Sequence, residues 1–470
     1  MRVNLTKVVR CMVLVLLLII FCNVLTFVYG PQSGLQGIHL PPGPLAEIFG
    51  AGHLRQPETK PFVKLKSTET CKDLEMKTFV EPAVFQTIGV NNDSFVYSAF
   101  LEDSSIRIIG LRQVSNVNVH CQIWYADVKE DPLVIGDVHA EFIPEDHGRK
   151  YTSTFFLCKI PAKHPNGTPF AVSVVKNACD QPLNIMLVRH PGTVTLDFTL
   201  CVSPLNYRYS RAYELVEMIE MNKMLGAQKL IFYNHSTGSN VDKVLDFYSL
   251  KGEIEVVPWH LPVKTDTWPP TGDPEIHYFG QLSALNDCLY RYKNRSHYLV
   301  YTDLDEFIIP RQHRSWNEMM ADSEKAQKDL AYAQAQCVFF RKEWLKPPEQ
   351  YQTAALKYNS VVLKHTLRET YTFPHGSRSK YVINPSRVKT VGVHNVWSFS
   401  GGATLLPPST ALLHHYRNWE KPDDPQPKEE DLTAVNKYGD ELVRRLNSVW
   451  SFLSHVPLDI NISSYGPFVS

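Results

Sequence analysis

The chain has 470 residues, enough for two or three domains. Hydrophobic residues make up 44% and charged residues 20%, the balance of a globular protein and not of a disordered one. Lys plus Arg and Asp plus Glu are 48 each, so the basic excess of a nucleic-acid binder is absent.

The first ten residues, "MRVNLTKVVR", carry three basic groups and no acid. Residues 11–29 then run nineteen positions without a charge, just long enough to span a bilayer as a helix. A cleavable signal peptide has a shorter apolar region and a small-residue exit, whereas this one leaves through "FVYGPQSG". The reading is a short cytosolic tail (1–10) and an uncleaved single-pass anchor (11–29), with everything beyond it on the lumenal side. Residues 30–66 are rich in Pro and Gly without apolar periodicity, as in a stem.

Two features agree with a lumenal location. Sequons place candidate glycosylation at Asn92, Asn166, Asn234, Asn294 and Asn461. Seven cysteines follow the anchor, which permits up to three disulfides and leaves one thiol over. No cysteine or histidine spacing marks a zinc site.

Residues 67–195 carry β signals: "SIRIIGLRQV" and "NVNVHCQIWYADV" alternate, and "FAVSVVK" and "NIMLVR" are short β-branched runs. The expectation is a β-rich domain with a structural or positioning role. From residue 196 the rhythm changes. "TVTLDFTLCVSPL", "KLIFYN", "EIEVVPW" and "HYLVYTDLDEF" read as strands. Three helices separate them, with apolar faces at Leu215/Met218/Met221, Val241/Val244/Leu245/Tyr248 and Leu282/Leu285/Leu289. Gly226 and Gly252 stop the first two, and Ser239 or Asn240 caps the second. Such alternation predicts an α/β fold with a mainly parallel sheet and helices on both faces, over residues 196–420. Ligands on such sheets bind at the carboxyl ends of the strands. Neither G-x-G-x-x-G nor a P-loop occurs, so any phosphate is held another way. Residues 421–470 remain as a C-terminal extension.

The fourth strand carries Asp303, Asp305 and Glu306 between apolar flanks. In an extended strand, residues i and i+2 point the same way. Asp303 and Asp305 are therefore expected to converge, and two close carboxylates need something positive between them. Mn²⁺ or Mg²⁺ would suit them and keep positions open for a diphosphate. The plainer alternative is three acids on a solvated loop.

The segment from about Cys201 to Arg417 resembles glycosyltransferase family 92. The resemblance rests on "CVSPL", "ELVEMIEMNKMLGAQKLIFYNHS", "VLDFYSLKGEIEVVPWHLP", "GQLSALNDCLYRYKNRSHYLVYTDLDEFIIP", "SKYVINPSRVKTVGVHNV" and "LLHHYRN", in that order. It implies a type II Golgi membrane enzyme with a GT-A-like fold, using UDP-galactose and Mn²⁺. The reactions implied are β-galactosyl transfers to glycans of glycoproteins, β-1,4 to terminal galactose or to fucose. Asp303 and Asp305 would be the D-x-D, with His415, His394 or His414 completing the metal site. Lys380 and Arg378 would neutralise the leaving diphosphate. Glu343, Glu306 or Glu369 would be the general base of an inverting transfer. Trp259 or Trp344 would stack on sugar or base.

Two other functions fit parts of the sequence. An inactive homologue or lumenal glycan-binding module would not need Asp303 and Asp305. A phosphohydrolase with an aspartate nucleophile also uses D-x-D after an apolar strand, but it wants Thr or Val where Phe307 stands.

Overall fold

The computed structural model describes Cys71, Leu74 and residues 84–460, apart from 114–117, 126–131, 136–137, 146, 161–167 and 419–425. The expected tail, anchor and stem, and the sequons at Asn166 and Asn461, lie outside these residues. Among the described residues no helix is long and apolar enough to cross a membrane.

The alternating segments before residue 195 build a nine-stranded, largely antiparallel sheet. Ser94–Glu102, Ser105–Gln113 and Tyr151–Lys159 pair in an antiparallel meander. Cys71–Cys179 and Cys121–Cys158 are disulfide-bonded here. Asn92 is exposed on this sheet.

We label the elements that follow from the first strand of the second sheet. They are β1 (Leu196–Val202), α1 (Ala212–Leu225), β2 (Lys229–Asn234), α2 (Ser239–Leu250), β3 (Ile254–Pro258), α3 (Gln281–Tyr292) and β4 (Ser296–Thr302). Strands β3, β2, β1 and β4 are parallel neighbours in that order. Beyond β4 the sheet is mixed. A strand at Lys380–Ile383 runs antiparallel between β4 and Leu330–Ala335, and Gly402–Leu405 closes the edge. The expectation of a mainly parallel sheet therefore holds for four strands of seven.

Alternation on the parallel strands fills two cores. Phe198, Leu200, Leu230, Phe232 and Val300 pack against α1 and α2. Cys201, Ile231, Tyr233, Leu299 and Tyr301 pack against α3 on the other face. All twelve residues of α3 are buried, because the β-rich sheet covers its outer side through Tyr97, Phe100, Ile109 and Phe155. A helix buried all round needs partners for its polar groups. Asp287 finds them in Ser98 Oγ at 2.5 Å, Tyr233 Oη at 2.6 Å and Arg291.

The stop at Gly226 has φ 133°, and Gly252 has φ 73°. The cap of α2 differs from expectation. Gly238 is the N-cap, and Asn240 turns inward to donate to the carbonyls of Ser210 and Pro457. The C-terminal residues are also more than an extension. Helix Thr433–Phe452 buries Val435, Tyr438, Leu442 and Leu446 in the same core as α1.

Cys201 on β1 and Cys288 on α3 are disulfide-bonded across 87 residues, and among the described residues Cys337 is the free thiol. Closing a loop of that length restricts the unfolded chain, typically by about 2–4 kcal/mol. Replacing both Cys201 and Cys288 with alanine is expected to lower stability by about that amount, read as an earlier urea midpoint, with a steeper slope because the uncrosslinked unfolded chain exposes more surface.

Candidate active site

The expected fourth strand is two strands. β4 ends at Thr302, a turn spans 303–305, and β5 (Glu306–Pro310) begins the next sheet. β5 pairs antiparallel with β6 (Ala411–Arg417), placing Glu306 opposite His415. The two acids therefore do not share one side of an extended strand. They sit where the chain changes sheets, and Glu306 closes the turn. Its side chain accepts from Asp303 N at 2.9 Å, and its own N–H donates to the Asp303 carbonyl at 3.3 Å.

From this turn the acids take different partners. Asp303 accepts from Ser203 Oγ and, at 2.8 Å, from Lys380 Nζ. Ser203 in turn accepts from Gln281, the first residue of α3. Asp305 faces His415 Nε2 at 3.4 Å. Glu306 lies between, 3.3 Å from both Lys380 Nζ and His415 Nδ1. Burial works to raise the Asp303 carboxyl, but Lys380 and Ser203 outweigh it and hold it below the usual carboxylate range. For Glu306 burial wins, and its carboxyl is raised despite Lys380. Burial pushes Lys380 down, yet Asp303 and Glu306 outweigh it and raise the ammonium.

The turn opens on two cavities that share Asp303 and Tyr278. One, of about 70 Å³, runs along the loop after β1 and includes Asn206, Tyr207, Arg211 and Asp305. The other is an open cleft of about 480 Å³ that holds Glu306, His415, Arg378, Arg417, His394 and Trp397. Tyr278, which lines both, and the buried Phe279 after it have φ of 35° and 55°. Bulky residues seldom adopt that region, and such strain concentrates at binding sites.

The other expected site residues divide sharply. Arg378, also at positive φ, lines the cleft and lies over Phe339. His394 lines it too, its Nδ1 3.2 Å from the Ser379 carbonyl. Burial, followed by Lys380, lowers His394 to about 4, so it is neutral at pH 7. Lys380 is a departure from expectation: it is 2% exposed, lines neither cavity and pairs with Asp303 and Glu306 behind them. Trp259 is another. It is fully buried, donates to the Phe279 carbonyl at 2.8 Å and packs edge-on to Tyr97 and Tyr233. Glu343 is exposed on the turn after strand Cys337–Arg341 and lines neither cavity. Glu369 is buried against Arg341 at 2.6 Å, and Trp344 lies under Arg341 and Lys428. Asn234 is half-buried with its Nδ2 donating to Thr237, and Asn294 is half-buried.

His414 and His415 alternate across β6, so only one faces the acids. His414 stacks on Phe340 at 4.5 Å and is lowered to about 4 by burial. A histidine kept neutral in the fold but charged when unfolded supports stability above its unfolded value, near pH 6.5, and loses that support as pH falls toward 4. His414→Phe is therefore expected to flatten the drop in melting temperature between pH 6.5 and pH 5.

Ser203, Gln281 and Arg417 lie inside blocks that carry the family resemblance but are not singled out there, and Tyr278, Glu145 and Trp397 lie outside them. Glu145 and His147 come from the β-rich sheet's side of the chain, which was expected to hold no acid or base of the site.

The donor set can be tested against a hard divalent cation. Among the described residues no three His, Cys, Asp or Glu side chains form a ready cage. Magnesium-like ions do not require one, since they take one or two carboxylates plus substrate phosphates. The cluster holds three carboxylates against one ammonium. The Asp305–His415 separation of 3.4 Å is wider than a good N···O hydrogen bond. By donor type Asp305 and His415 fit such an ion, and Asp303 pairs with Lys380.

Residues 196–448 match the model of glycosyltransferase family 92. The chain is 22% identical over 399 residues to the β-1,4-galactosyltransferase galt-1 of Caenorhabditis elegans, covering 78% of this chain and 83% of that protein. It is 22% identical over 306 residues to the galactan β-1,4-galactosyltransferase GALS2 of Arabidopsis thaliana, covering 60% of this chain and 56% of that protein. Staphylococcus aureus TarS 1-349 in complex with UDP-GlcNAc aligns with 55% of this chain and 73% of its own, at 9% identity and a TM-score of 0.27. The family match spans more than half of the chain and contains the whole acid turn, its lysine and its histidine: the protein belongs to glycosyltransferase family 92.

Proposed function

We propose that the enzyme transfers galactose from UDP-galactose to a terminal galactose or fucose of a glycoprotein glycan, with inversion to a β-1,4 linkage. The observation that carries this reading is the acid turn at the carboxyl end of β4, placed between a narrow cavity and an open cleft. That is where an α/β sheet binds its ligand. The likeness to a nematode and a plant β-1,4-galactosyltransferase supports galactose as the sugar and β-1,4 as the linkage.

In this reading the nucleoside lies along Asn206 and Tyr207, and the galactose enters the cleft. Asp305 and His415 would hold Mn²⁺ or Mg²⁺, which would supply positive charge against the diphosphate. Arg378 and Arg417 face the same charge from the cleft wall. The acceptor hydroxyl forms a bond to the anomeric carbon as the bond to the UDP oxygen breaks, and its proton passes to a carboxylate of the cleft. Lys380 fixes Asp303 and Glu306 so that the turn keeps one geometry while charge moves. The basic and apolar N-terminus, with three disulfides, supports a Golgi membrane location with the catalytic part in the lumen.

A donor and acceptor panel tests the reading. UDP-galactose, UDP-glucose and UDP-N-acetylglucosamine are each offered with β-galactoside and fucoside acceptors, with Mn²⁺ or with EDTA. The expected result is transfer from UDP-galactose alone, lost in EDTA, with a β-1,4 product by NMR. Equal use of all three donors, or undiminished transfer in EDTA, overturns it.

A further inference from the structure

The open cleft has a far wall that the donor chemistry leaves without a task. Trp397 stands there on the hairpin formed by Val388–Val391 and Val396–Phe399. It is 44% exposed, unusual for the largest apolar side chain. Its ring is nonetheless fixed. The indole Nε1–H donates to Glu145 Oε1 at 2.9 Å, and Glu145 Oε2 accepts from Val393 N at 3.0 Å. Glu145 holds this pose at φ 79°, a region that non-glycine residues rarely visit.

A second observation comes from Gly392, before Val393. A Cβ built there would collide with both Trp397 Nε1 and Glu145 Oε1. The bare backbone at 392 is what admits the Trp397–Glu145 bond. The glycine is itself anchored, accepting from the buried Tyr381 hydroxyl and donating to the Asn395 carbonyl at 2.8 Å. An aromatic face held by its edge in a polar cleft is pre-organised for a flat ligand with an apolar side.

We propose that Trp397 is the platform for the acceptor sugar, with Glu145 as its positioning residue, so that the β-rich domain completes the acceptor subsite. This rests on the transferase reading above and deepens it. Both acceptors named there, galactose and fucose, share an axial 4-hydroxyl that leaves a continuous C–H face on the pyranose ring. That face matches the exposed indole, while ring hydroxyls meet the polar rim.

The test uses the full-length protein and the variants Trp397→Ala, Trp397→Phe and Gly392→Ala. Acceptor KM for a β-galactoside is expected to rise at least tenfold in Trp397→Ala and Gly392→Ala, and less in Trp397→Phe. The Kd for UDP should stay within twofold in all three. Separately, methyl β-galactopyranoside is titrated against UDP-bound protein while tryptophan fluorescence is followed. The wild type should respond and Trp397→Phe should not. An acceptor KM within twofold of wild type in Trp397→Ala, or an unchanged fluorescence response in Trp397→Phe, overturns the platform. If the wild type transfers no sugar but its fluorescence responds through Trp397, the subsite stands and the transferase reading falls.

Discussion

Lys380→Met is expected to destabilise the protein by about 3–5 kcal/mol and to abolish sugar transfer. The ammonium is 2% exposed and lies 2.8 Å from Asp303 and 3.3 Å from Glu306. Methionine fills much the same volume, so the loss is electrostatic and not a cavity. Two carboxylates would then stand together beside Asp305 without their cation. The pH dependence gives the sign. Without Lys380 the Asp303 and Glu306 carboxyls both lie above their unfolded values in the fold. Groups raised in this way are best tolerated when protonated, and stability is lost as pH rises through their folded values. The stability gap between variant and wild type should therefore narrow from pH 7.5 to pH 5, followed by urea unfolding at each pH. A gap that is constant with pH would assign Lys380 to packing alone.

Asp305→Asn is expected to reduce transfer by about 10³-fold, on the order of 4 kcal/mol of charge stabilisation, while leaving the melting temperature nearly unchanged. Asp305 is 2% exposed, and its partner is a histidine at 3.4 Å. Asparagine keeps the side chain's volume and one acceptor oxygen while relieving like-charge repulsion with Asp303 and Glu306, so the fold is expected to lose little. The same variant, and His415→Ala, should bind Mn²⁺ at least tenfold more weakly, read from the free-ion electron paramagnetic resonance signal. Asp303→Asn should behave differently. It breaks the Lys380 pair and should cost stability as well as activity.

Much of the parallel half was legible in the sequence because its signals are local. The 3.6-residue spacing of Leu215, Met218 and Met221 and the stop at Gly226 specify α1 without reference to the rest of the chain. The acid turn was legible only in part. Apolar flanks on both sides of Asp303–Glu306 read as one strand, because nothing in the local pattern reveals that Glu306 pairs with His415 a hundred residues later. That pairing moves β5 into another sheet, puts the two acids on a turn instead of one extended strand, and gives them different partners. It also gives Glu306 its place, closing the turn. Lys380 was found as a cation of the site, but its burial could not be foreseen, since burial depends on β4 and Leu330–Ala335 flanking its strand. Trp259 and Trp397 show the same limit in reverse. Both are lone tryptophans in mixed surroundings, and only tertiary packing buries one and sets the other at the cleft.

The most direct test of the account is transfer of radiolabelled galactose from UDP-galactose to a β-galactoside by secreted residues 65–470, which form one compact unit, compared with Asp305→Asn. The account predicts Mn²⁺-dependent transfer by the wild type and about a thousandfold less by the folded variant. Equal transfer by the two proteins, or none from UDP-galactose by the wild type, would contradict it.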